Sequence, residues 1–298
     1  MAIPFVYEDS VAYGLATTIS PLIRRVVADN PSGFTYHGTG TFIVGHGEVA
    51  VIDAGPADPR HVEAILKATK NETITHQLVT HTHSDHSPAA ALLKEATGAL
   101  TWGFGPHGSG RAQGDIVVEE GGDTEFRPDH KVRHGDRIEG AGWTMECVFT
   151  PGHTSNHMCF CLMEEKALFS GDHVMGWSTT VVSPPDGDMA AYMRSLRLLQ
   201  ERDDARYHPT HGPAITDPAT HVHELIAHRE NREAQILACV KEGIVTIPEM
   251  VERMYTTVDR RLHPAARQSV LSHIIHMVET ARLACDGPPA MHSDYRLA

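Results

Sequence analysis

The sequence predicts an α/β fold with a small, mainly helical domain at its C-terminal end. Short β-branched apolar runs alternate with segments of helical periodicity over the first 220 residues. Residues 221–298 instead contain three helical patterns and then a short hairpin pattern. Histidines and aspartates gather where predicted strands run into loops, which is where α/β folds build sites. We therefore expect two domains, residues 1–220 and residues 221–298.

In the first half of the chain, the elements follow one another as strand, strand, helix, strand and helix. Residues 41–44 and 49–52 are β-branched runs joined by Gly-His-Gly, which predicts a hairpin. Residues 58–69 have apolar side chains at helical spacing, and "HQLVT" then predicts a short strand. The segment "SPAAALLKEATG" predicts a helix that ends at Gly98.

The second half of the predicted first domain continues this alternation. Residues 145–150 form a strand pattern, and "MCFCLM" and "KALFSG" predict two paired strands. An amphipathic helix follows over residues 188–202. Residues 101–144 are rich in glycine and polar side chains, so we expect short strands and loops there.

The predicted second domain has the order of elements of a small winged-helix module. Residues 221–243 predict a helix with an apolar inner face, and Thr246 with Glu249 has the spacing of a capping box that starts a second helix. The third helix begins near Pro264, and a Gly-Pro-Pro turn follows it.

Composition narrows the class of protein. The chain has 298 residues, 41% hydrophobic and 21% charged, which suits one large domain and one small one. No apolar run approaches the ~20 residues of a membrane span, and the first residues lack the pattern of a secretory signal. We therefore predict a cytoplasmic protein without membrane contact. The net charge of −13 disfavours non-specific binding to nucleic acid.

Four potential metal ligands lie within the segment "LVTHTHSDHS", residues 78–87. His81 and His83 alternate along the chain and can serve one ion, whereas Asp85 and His86 can serve a second. Neither pair completes a site, because a catalytic zinc takes three protein ligands and keeps a position open for water.

Three later segments supply the missing ligands. His153 follows one strand in "TPGHTSNH", Asp172 follows another in "LFSGDH", and His211 follows a third in "YHPTHGP". The economical arrangement gives His153 to the first ion and His211 to the second. Asp172, with two oxygens, can then bridge both ions across the ~3.5–4 Å typical of two-metal sites.

Together these motifs resemble the metallo-β-lactamase superfamily. The resemblance implies an αββα sandwich with two Zn²⁺ ions at one edge of its sheets. The seven implied ligands are His81, His83, Asp85, His86, His153, Asp172 and His211. In that family the aspartate of "VIDAG", here Asp53, usually supports the metal loops by hydrogen bonding.

The C-terminal segment resembles the winged-helix module of the β-lactamase-like protein 2 subgroup. The segment "GWSTTVV" after Asp172 is also similar to that subgroup. Trp177, Thr179 and Thr180 are therefore expected near the substrate pocket, and His173 and His157 are expected beside the ligands rather than among them.

The resemblance implies a dinuclear zinc hydrolase in which a metal-bridging hydroxide attacks an acyl centre. Asp172 would hold the metal pair, and Asp85 would bind metal and orient the nucleophile. The substrate would be an ester, thioester, lactone or β-lactam, with weak β-lactamase activity left open. A single-strand-preferring endoribonuclease is the main alternative, with single-stranded RNA as partner. A glyoxalase II-like thioesterase, an iron-dependent redox enzyme and a homodimer also stay open.

Overall fold

The computed structural model describes residues 3–110, 121–256 and 259–298. Within these residues the first sheet has seven strands, in the order β1 (Thr17–Thr18), β2 (Ile23–Val27), β3 (Gly40–Val44), β4 (Glu48–Ile52), β5 (Thr73–Leu78), β6 (Leu100–Gly103) and β7 (His130–Lys131). The second sheet runs in the order β12-β11-β10-β9-β8, with β8 (Arg137–Gly140), β9 (Trp143–Phe149), β10 (Met158–Leu162), β11 (Ala167–Gly171) and β12 (Arg206–Pro209). Residues 111–120, within the segment predicted to form short strands and loops, lie outside the described residues.

Four helices cover the outer faces of the two sheets. They are α1 (Pro59–Ala68), α2 (Ala89–Thr97), α3 (Met189–Gln200) and α4 (Pro218–Lys241). Ile65 and Leu93 bury α1 and α2 against the first sheet, and Leu196 and Leu225 bury α3 and α4 against the second. The predicted αββα sandwich is confirmed.

The main core lies between the two sheets. Phe42 of β3 meets Phe169 of β11 at a ring-centroid distance of 5.0 Å, and both side chains are buried. Cys159 and Cys161 face the opposite way, into the layer of α3 and α4, as period-2 alternation predicts.

Parallel strand pairs position the site. β5 runs parallel to β4 in the first sheet, and β12 runs parallel to β11 in the second. The carboxyl ends of these strands therefore lie at the same edge of each sheet, and the loops that follow them meet there. The loop of residues 78–87 follows β5, Asp172 follows β11, and His211 follows β12.

The C-terminal part contains the predicted helices and hairpin. These are α5 (Ile247–Met254), α6 (His263–Glu279), β13 (Leu283–Ala284) and β14 (Arg296–Leu297), with a 3₁₀ turn before α6. A separate apolar cluster forms between these elements and the last turns of α4, and it includes Ile236, Met250 and Ile274.

Two details of this part differ from expectation. The predicted helix over residues 221–243 begins earlier, at Pro218, so the expected boundary after residue 220 falls inside α4. The first turns of α4 pack on the second sheet and its last turns pack on α5 and α6, so the division into two domains stays a prediction. The capping box is also incomplete, because Thr246 Oγ1 donates to Glu249 at 2.7 Å and no side chain caps the helix backbone.

Glu233 of α4 joins the helices of the C-terminal part. Its carboxylate accepts hydrogen bonds from His276 at 2.8 Å and from Arg282. Burial raises the pKa of Glu233, but the hydrogen bonds from His273, His276 and Arg282 outweigh burial and hold the pKa well below its usual range.

We expect Glu233→Gln to lower the free energy of unfolding by about 3 kcal/mol at pH 7, since it removes one partner of a buried ion pair. Because the folded-state pKa is lowered, the stabilisation is fully present above the unfolded pKa of about 4.3 and is lost as pH falls below it. Urea unfolding from pH 7 to pH 3 checks this. A difference between variant and wild type that does not shrink toward pH 3 would contradict it. The control is Glu230→Gln, an exposed carboxylate on the same helix.

Candidate metal centre

Seven side chains from four loops meet at one edge of the sandwich. In the loop after β5, His83 forms an isolated bridge and residues 84–86 turn, and Asp85 joins a different cluster from His81 and His83. The turn therefore separates the pair His81 and His83 from the pair Asp85 and His86. The loops after β9, β11 and β12 bring His153, Asp172 and His211 to the same place.

The first cluster consists of three imidazoles. Nδ1 of His83 lies 3.1 Å from Nε2 of His81 and 3.1 Å from Nε2 of His153. A tetrahedral zinc with bonds of roughly 2.0–2.1 Å separates its nitrogen ligands by roughly 3.3 Å, so the trio matches one face of such an ion. His81 and His153 are buried, whereas His83 is half-buried.

The second cluster consists of one carboxylate and two imidazoles. Oδ2 of Asp85 lies 3.5 Å from Nε2 of His86 and 3.2 Å from Nε2 of His211. Both histidines are buried, and the Asp85 side chain keeps 23% of its surface exposed. The open side of the site is therefore the side of His83 and Asp85.

Asp172 lies between the two clusters. Its Oδ1 is 3.6 Å from His86 Nε2 and 3.4 Å from His211 Nε2. Its Oδ2 is 3.7 Å from Nε2 of His153 in the first cluster. One oxygen thus faces each cluster, which is the arrangement a bridging carboxylate needs.

Hydrogen bonds around the clusters fix the tautomers of three histidines. The Nδ1 atoms of His153 and His211 lie 2.7 Å and 3.2 Å from the carbonyl oxygens of Val181 and Gly38. Nδ1 of His86 lies 2.9 Å from the carboxylate of Asp53. A ring that donates from Nδ1 presents the lone pair of Nε2, which is the state that binds a metal.

Asp53 links the loops after β5 and β12 by hydrogen bonds, which is the role that the resemblance implies. Its carboxylate accepts hydrogen bonds from Thr80 N at 2.8 Å, Thr80 Oγ1 at 2.7 Å and Thr210 Oγ1 at 3.0 Å, besides the bond from His86. The side chain is fully buried, and the backbone is left-handed with φ of 50°. Such a conformation is strained for a residue with Cβ, so the surrounding hydrogen bonds must hold it.

The charge distribution differs between the clusters. Burial lowers the pKa of His81 well below its ordinary value and that of His153 to about 4, so these two imidazoles of the first cluster are neutral at pH 7. Burial also opposes protonation of His86 and His211, but the nearby carboxylates outweigh it and raise the pKa of His211 to about 9. The second cluster therefore attracts positive charge, and a metal that binds there releases protons.

The donor set fits a pair of divalent metal ions. Nε2 of His86 and Oδ1 of Asp172 are buried and form no hydrogen bond within the described residues, which is costly unless another group satisfies them. Imidazole nitrogens and carboxylate oxygens at these positions suit zinc.

The segment after Asp172 supports the metal clusters from their buried side. Thr180 is buried, and its Oγ1 donates to the carbonyl oxygens of Asp172 at 2.8 Å and His173 at 3.0 Å. His173 is buried against Tyr192, and burial lowers the pKa of its imidazole to about 3. Both residues therefore support the loop and do not face the open side. His157 is buried behind the first cluster, 5.2 Å from the ring of His81.

Trp177 and Thr179 lie nearer the surface. Trp177 is half-buried, stacks on Tyr36 at 4.8 Å and packs against Gly212, the residue after His211. Thr179 lines a cavity with Phe5 of the N-terminal segment. A role of either residue at the substrate pocket stays a prediction.

Arg229 of α4 also supports the site, although the sequence patterns do not point to it. Its buried guanidinium donates from Nη2 to the carbonyl oxygen of Thr180 and lies 5.2 Å from the ring of Tyr192. The next carbonyl, of Val181, is the one that His153 Nδ1 contacts. Arg229 therefore positions the loop that orients a candidate ligand. An arginine in a charged helix gives no sequence signal of this role.

We expect Arg229→Met to weaken zinc binding about 10–100-fold, the cost typical of removing a group that orients a ligand. Arg229→Lys should recover part of the affinity. The control is Arg232→Met, which removes an arginine that packs on Tyr255, away from this loop. Competition with a chromophoric chelator measures the affinity. Equal affinities for the Arg229→Met and Arg232→Met variants would contradict the positioning role.

The chain is similar to known proteins in both sequence and fold. The chain matches the metallo-beta-lactamase superfamily over residues 35–211 and the beta-lactamase associated winged helix domain over residues 246–284. An atrochrysone carboxyl ACP thioesterase of Aspergillus chevalieri is 32% identical over 268 residues, covering 86% of this chain and 80% of the relative. A lactamase-like protein of Aspergillus niger is 29% identical over 289 residues, covering 91% of this chain and 85% of the relative.

Solved structures share the fold over nearly the whole chain. A beta-lactamase domain protein of Burkholderia ambifaria has a TM-score of 0.78 at 19% identity, covering 99% of this chain and 97% of the other. A metallo-beta-lactamase family protein of Thermus thermophilus has a TM-score of 0.74 at 20% identity, covering 94% of this chain and 99% of the other.

The fold and the site define a hydrolase built on an αββα sandwich. The chain belongs to the metallo-β-lactamase superfamily and carries that family's associated winged-helix domain. None of the helices in the described part of the chain has the length and apolar character needed to cross a bilayer.

Proposed function

We propose that the protein is a dinuclear zinc-dependent hydrolase that cleaves acyl thioesters. The observation that carries the proposal is the pair of three-residue clusters with Asp172 between them. His81, His83 and His153 would hold one zinc, and Asp85, His86 and His211 the other. Two metal ions in such a site supply hydroxide at neutral pH and polarise a carbonyl oxygen.

The chain's own residues set up the reaction around these ions. Asp85 lies at the open side, where its carboxylate could accept the proton of the attacking water. Thr39 Oγ1 donates to Oδ2 of Asp85 at 3.4 Å and restricts the orientation of the carboxylate. Asp53 and Thr80 keep His86 in place, so that the site is preorganised before substrate arrives.

Among the possible acyl substrates, a thioester has support from the names of two relatives. Proteins named as atrochrysone carboxyl ACP thioesterases are 32% and 31% identical to this chain, which covers 80% and 81% of their lengths. The shared electrophile of the class is an acyl carbon, and ester, lactone and β-lactam hydrolysis would use the same groups.

The alternatives stay predictions. Single-strand RNA cleavage would use the same metal pair on a phosphodiester, but the net charge of −13 does not favour it. A glyoxalase II-like enzyme would differ from the proposed thioesterase only in the thiol part of its substrate. An iron-dependent redox enzyme would differ from it in the bound metal.

A substrate panel on the zinc-loaded protein separates these functions. We expect hydrolysis of acyl-carrier-protein and acyl-coenzyme A thioesters, with slower turnover of an aryl ester, a lactone and nitrocefin. The glyoxalase alternative predicts a preference for an acyl glutathione. RNA cleavage without thioester hydrolysis would overturn the proposal.

A further inference from the structure

A chain of hydrogen bonds lies on the buried side of Asp172, the carboxylate between the two clusters. The backbone N–H of Asp172 donates to Nε2 of His157 at 3.2 Å, and Nδ1 of His157 lies 2.9 Å from Oγ1 of Thr150. Thr150 Oγ1 lies 3.1 Å from Sγ of Cys159, which donates to the carbonyl oxygen of Ser170 at 3.6 Å. The chain therefore starts and ends on the turn that carries Asp172, and we call it the hydrogen-bond ring.

The direction of the bonds in this ring follows from one fixed donor. A backbone N–H can only donate, so Nε2 of His157 presents its lone pair to Asp172 and Nδ1 carries the proton. The Nδ1–H then donates to Thr150 Oγ1, which leaves the hydroxyl proton of Thr150 to donate to Cys159 Sγ. Both ring nitrogens of His157 are thus engaged by the protein, so His157 is not a candidate metal ligand.

The ring is closed to solvent and spans three neighbouring strands. His157, Thr150, Cys159 and Ser170 are all fully buried. Thr150 follows β9, Cys159 belongs to β10 and Ser170 belongs to β11. Because water cannot replace a lost partner at such a place, removing the acceptor would leave the N–H of Asp172 buried and unpaired.

The residue before Asp172 shows how closely His157 approaches this turn. Gly171 has φ of 52°, and a Cβ at this position would lie 2.5 Å from Nε2 of His157. Glycine therefore gives the imidazole room to reach the next N–H. On the other side, the carbonyl oxygen of Gly171 accepts a hydrogen bond from the backbone N–H of Thr210 at 3.2 Å. The turn is held from two directions, by His157 and by the loop that carries His211.

The direction of the Asp172 carboxylate depends on this turn. Its Oδ1 lies 3.4 Å from His211 Nε2, and its Oδ2 lies 3.7 Å from His153 Nε2. An aspartate side chain is short, so a shift of its backbone moves both oxygens together. A change at His157 would therefore reach both clusters through a single residue.

We propose that His157 is a positioning residue that fixes the bridging carboxylate of Asp172 by accepting its backbone N–H. The inference rests on the proposed function for the metal pair and on the hydrogen-bond ring for the role of His157. It distinguishes His157 from Asp53, which meets His86 of the second cluster. Loss of the His157 acceptor should weaken both metal sites together.

The first test measures the zinc affinity of three variants by competition with a chromophoric chelator. His157→Phe keeps a ring without an acceptor, and we expect it to lose about 10–100-fold in affinity at both sites, the cost typical of removing a group that orients a ligand. His157→Gln keeps an acceptor on a side chain of similar reach and should regain part of the loss. The control is His221→Phe, because His221 is equally buried and its Nε2 contacts the carbonyl oxygen of Met175 at 3.0 Å. Equal affinities for His157→Phe and His221→Phe would overturn the inference.

A milder pair of variants keeps the test valid if His157→Phe does not fold. Thr150→Val removes the acceptor of the His157 Nδ1–H and should weaken both sites, whereas Thr150→Ser keeps the hydroxyl and should bind zinc like wild type. The visible spectrum of the cobalt-substituted protein reports the metal geometry without turnover, and it should change in Thr150→Val but not in Thr150→Ser. A lower thermal midpoint in Thr150→Val with unchanged zinc affinity and cobalt spectrum would mean that the ring only supports the fold.

Binding and turnover together separate this inference from the proposed function. If the variants show the expected affinities but wild type hydrolyses no thioester, the proposed function fails and the role of His157 stands. If wild type hydrolyses thioesters with two zinc ions bound and His157→Phe keeps wild-type affinity at both sites, the role of His157 fails and the proposed function stands. A wild-type protein that binds neither zinc nor cobalt would overturn both.

Discussion

Replacing Asp172 with Asn should lower kcat/KM by about 10³-fold or more while leaving the fold intact. Among the candidate ligands, Asp172 is the residue whose two oxygens face both clusters, at 3.4 Å from His211 and 3.7 Å from His153. Removing a group that merely orients a ligand costs roughly 10–100-fold, so losing a bridging ligand should cost more. The amide keeps the shape of the side chain but not its charge.

The matched control is Asp204→Asn. Asp204 is a carboxylate that pairs with Arg202 on the far edge of the second sheet. The substitution should lower stability and leave kcat/KM within about twofold of wild type, because Asp204 contacts no candidate ligand. If Asp172→Asn also retained near-normal turnover with two metals bound, the bridging role would be wrong. Steady-state kinetics and metal content together give the answer.

Asp53→Asn should selectively weaken the second metal site, about 10–100-fold in affinity. The carboxylate of Asp53 accepts hydrogen bonds from Thr80 and Thr210 and meets Nδ1 of His86, all at 3.0 Å or less. An amide cannot accept all of these, and its NH₂ group would oppose the Nδ1–H of His86. Asparagine tolerates the left-handed backbone at this position, so strain does not account for the loss.

Zinc titration of the Asp53→Asn protein should show one site near wild-type affinity and one weakened site. Asp58→Asn is the control, since Asp58 caps α1 nearby and contacts no candidate ligand. Equal weakening of both sites would mean that Asp53 supports the fold as a whole rather than His86.

The candidate ligands could be predicted because they lie in local motifs at strand ends. Each of His81, His83, Asp85 and His86 is recognisable in one loop, and His153, Asp172 and His211 each follow a strand with glycine or proline beside it. Strand periodicity then predicts the sheets, and parallel neighbours bring the loops to one edge.

The contacts behind the ligands could not be predicted. Thr210 meets Asp53 across 157 positions of sequence, and Arg229 meets Thr180 across 49. Threonine and arginine are ordinary at such positions, and only packing shows that they are buried. The same holds for a cavity lined by Gly152 and Ser155 of the sandwich and by Ser272 of α6, because it forms only where α6 packs on the sandwich.

The two-domain division stays a prediction, because one helix spans the expected boundary. The expected break after residue 220 rests on a change in composition, but α4 is one continuous helix from Pro218 to Lys241. Its charged outer face looks uniform in sequence, whereas its inner face packs first on the second sheet and later on α6.

Metal content measured together with thioester turnover tests the central claim most directly. Protein purified without added metal, stripped with a chelator and titrated with Zn²⁺ should gain thioesterase activity that saturates at two zinc per chain. The claim is contradicted if the active protein holds a single iron and consumes oxygen, or if turnover is complete without metal.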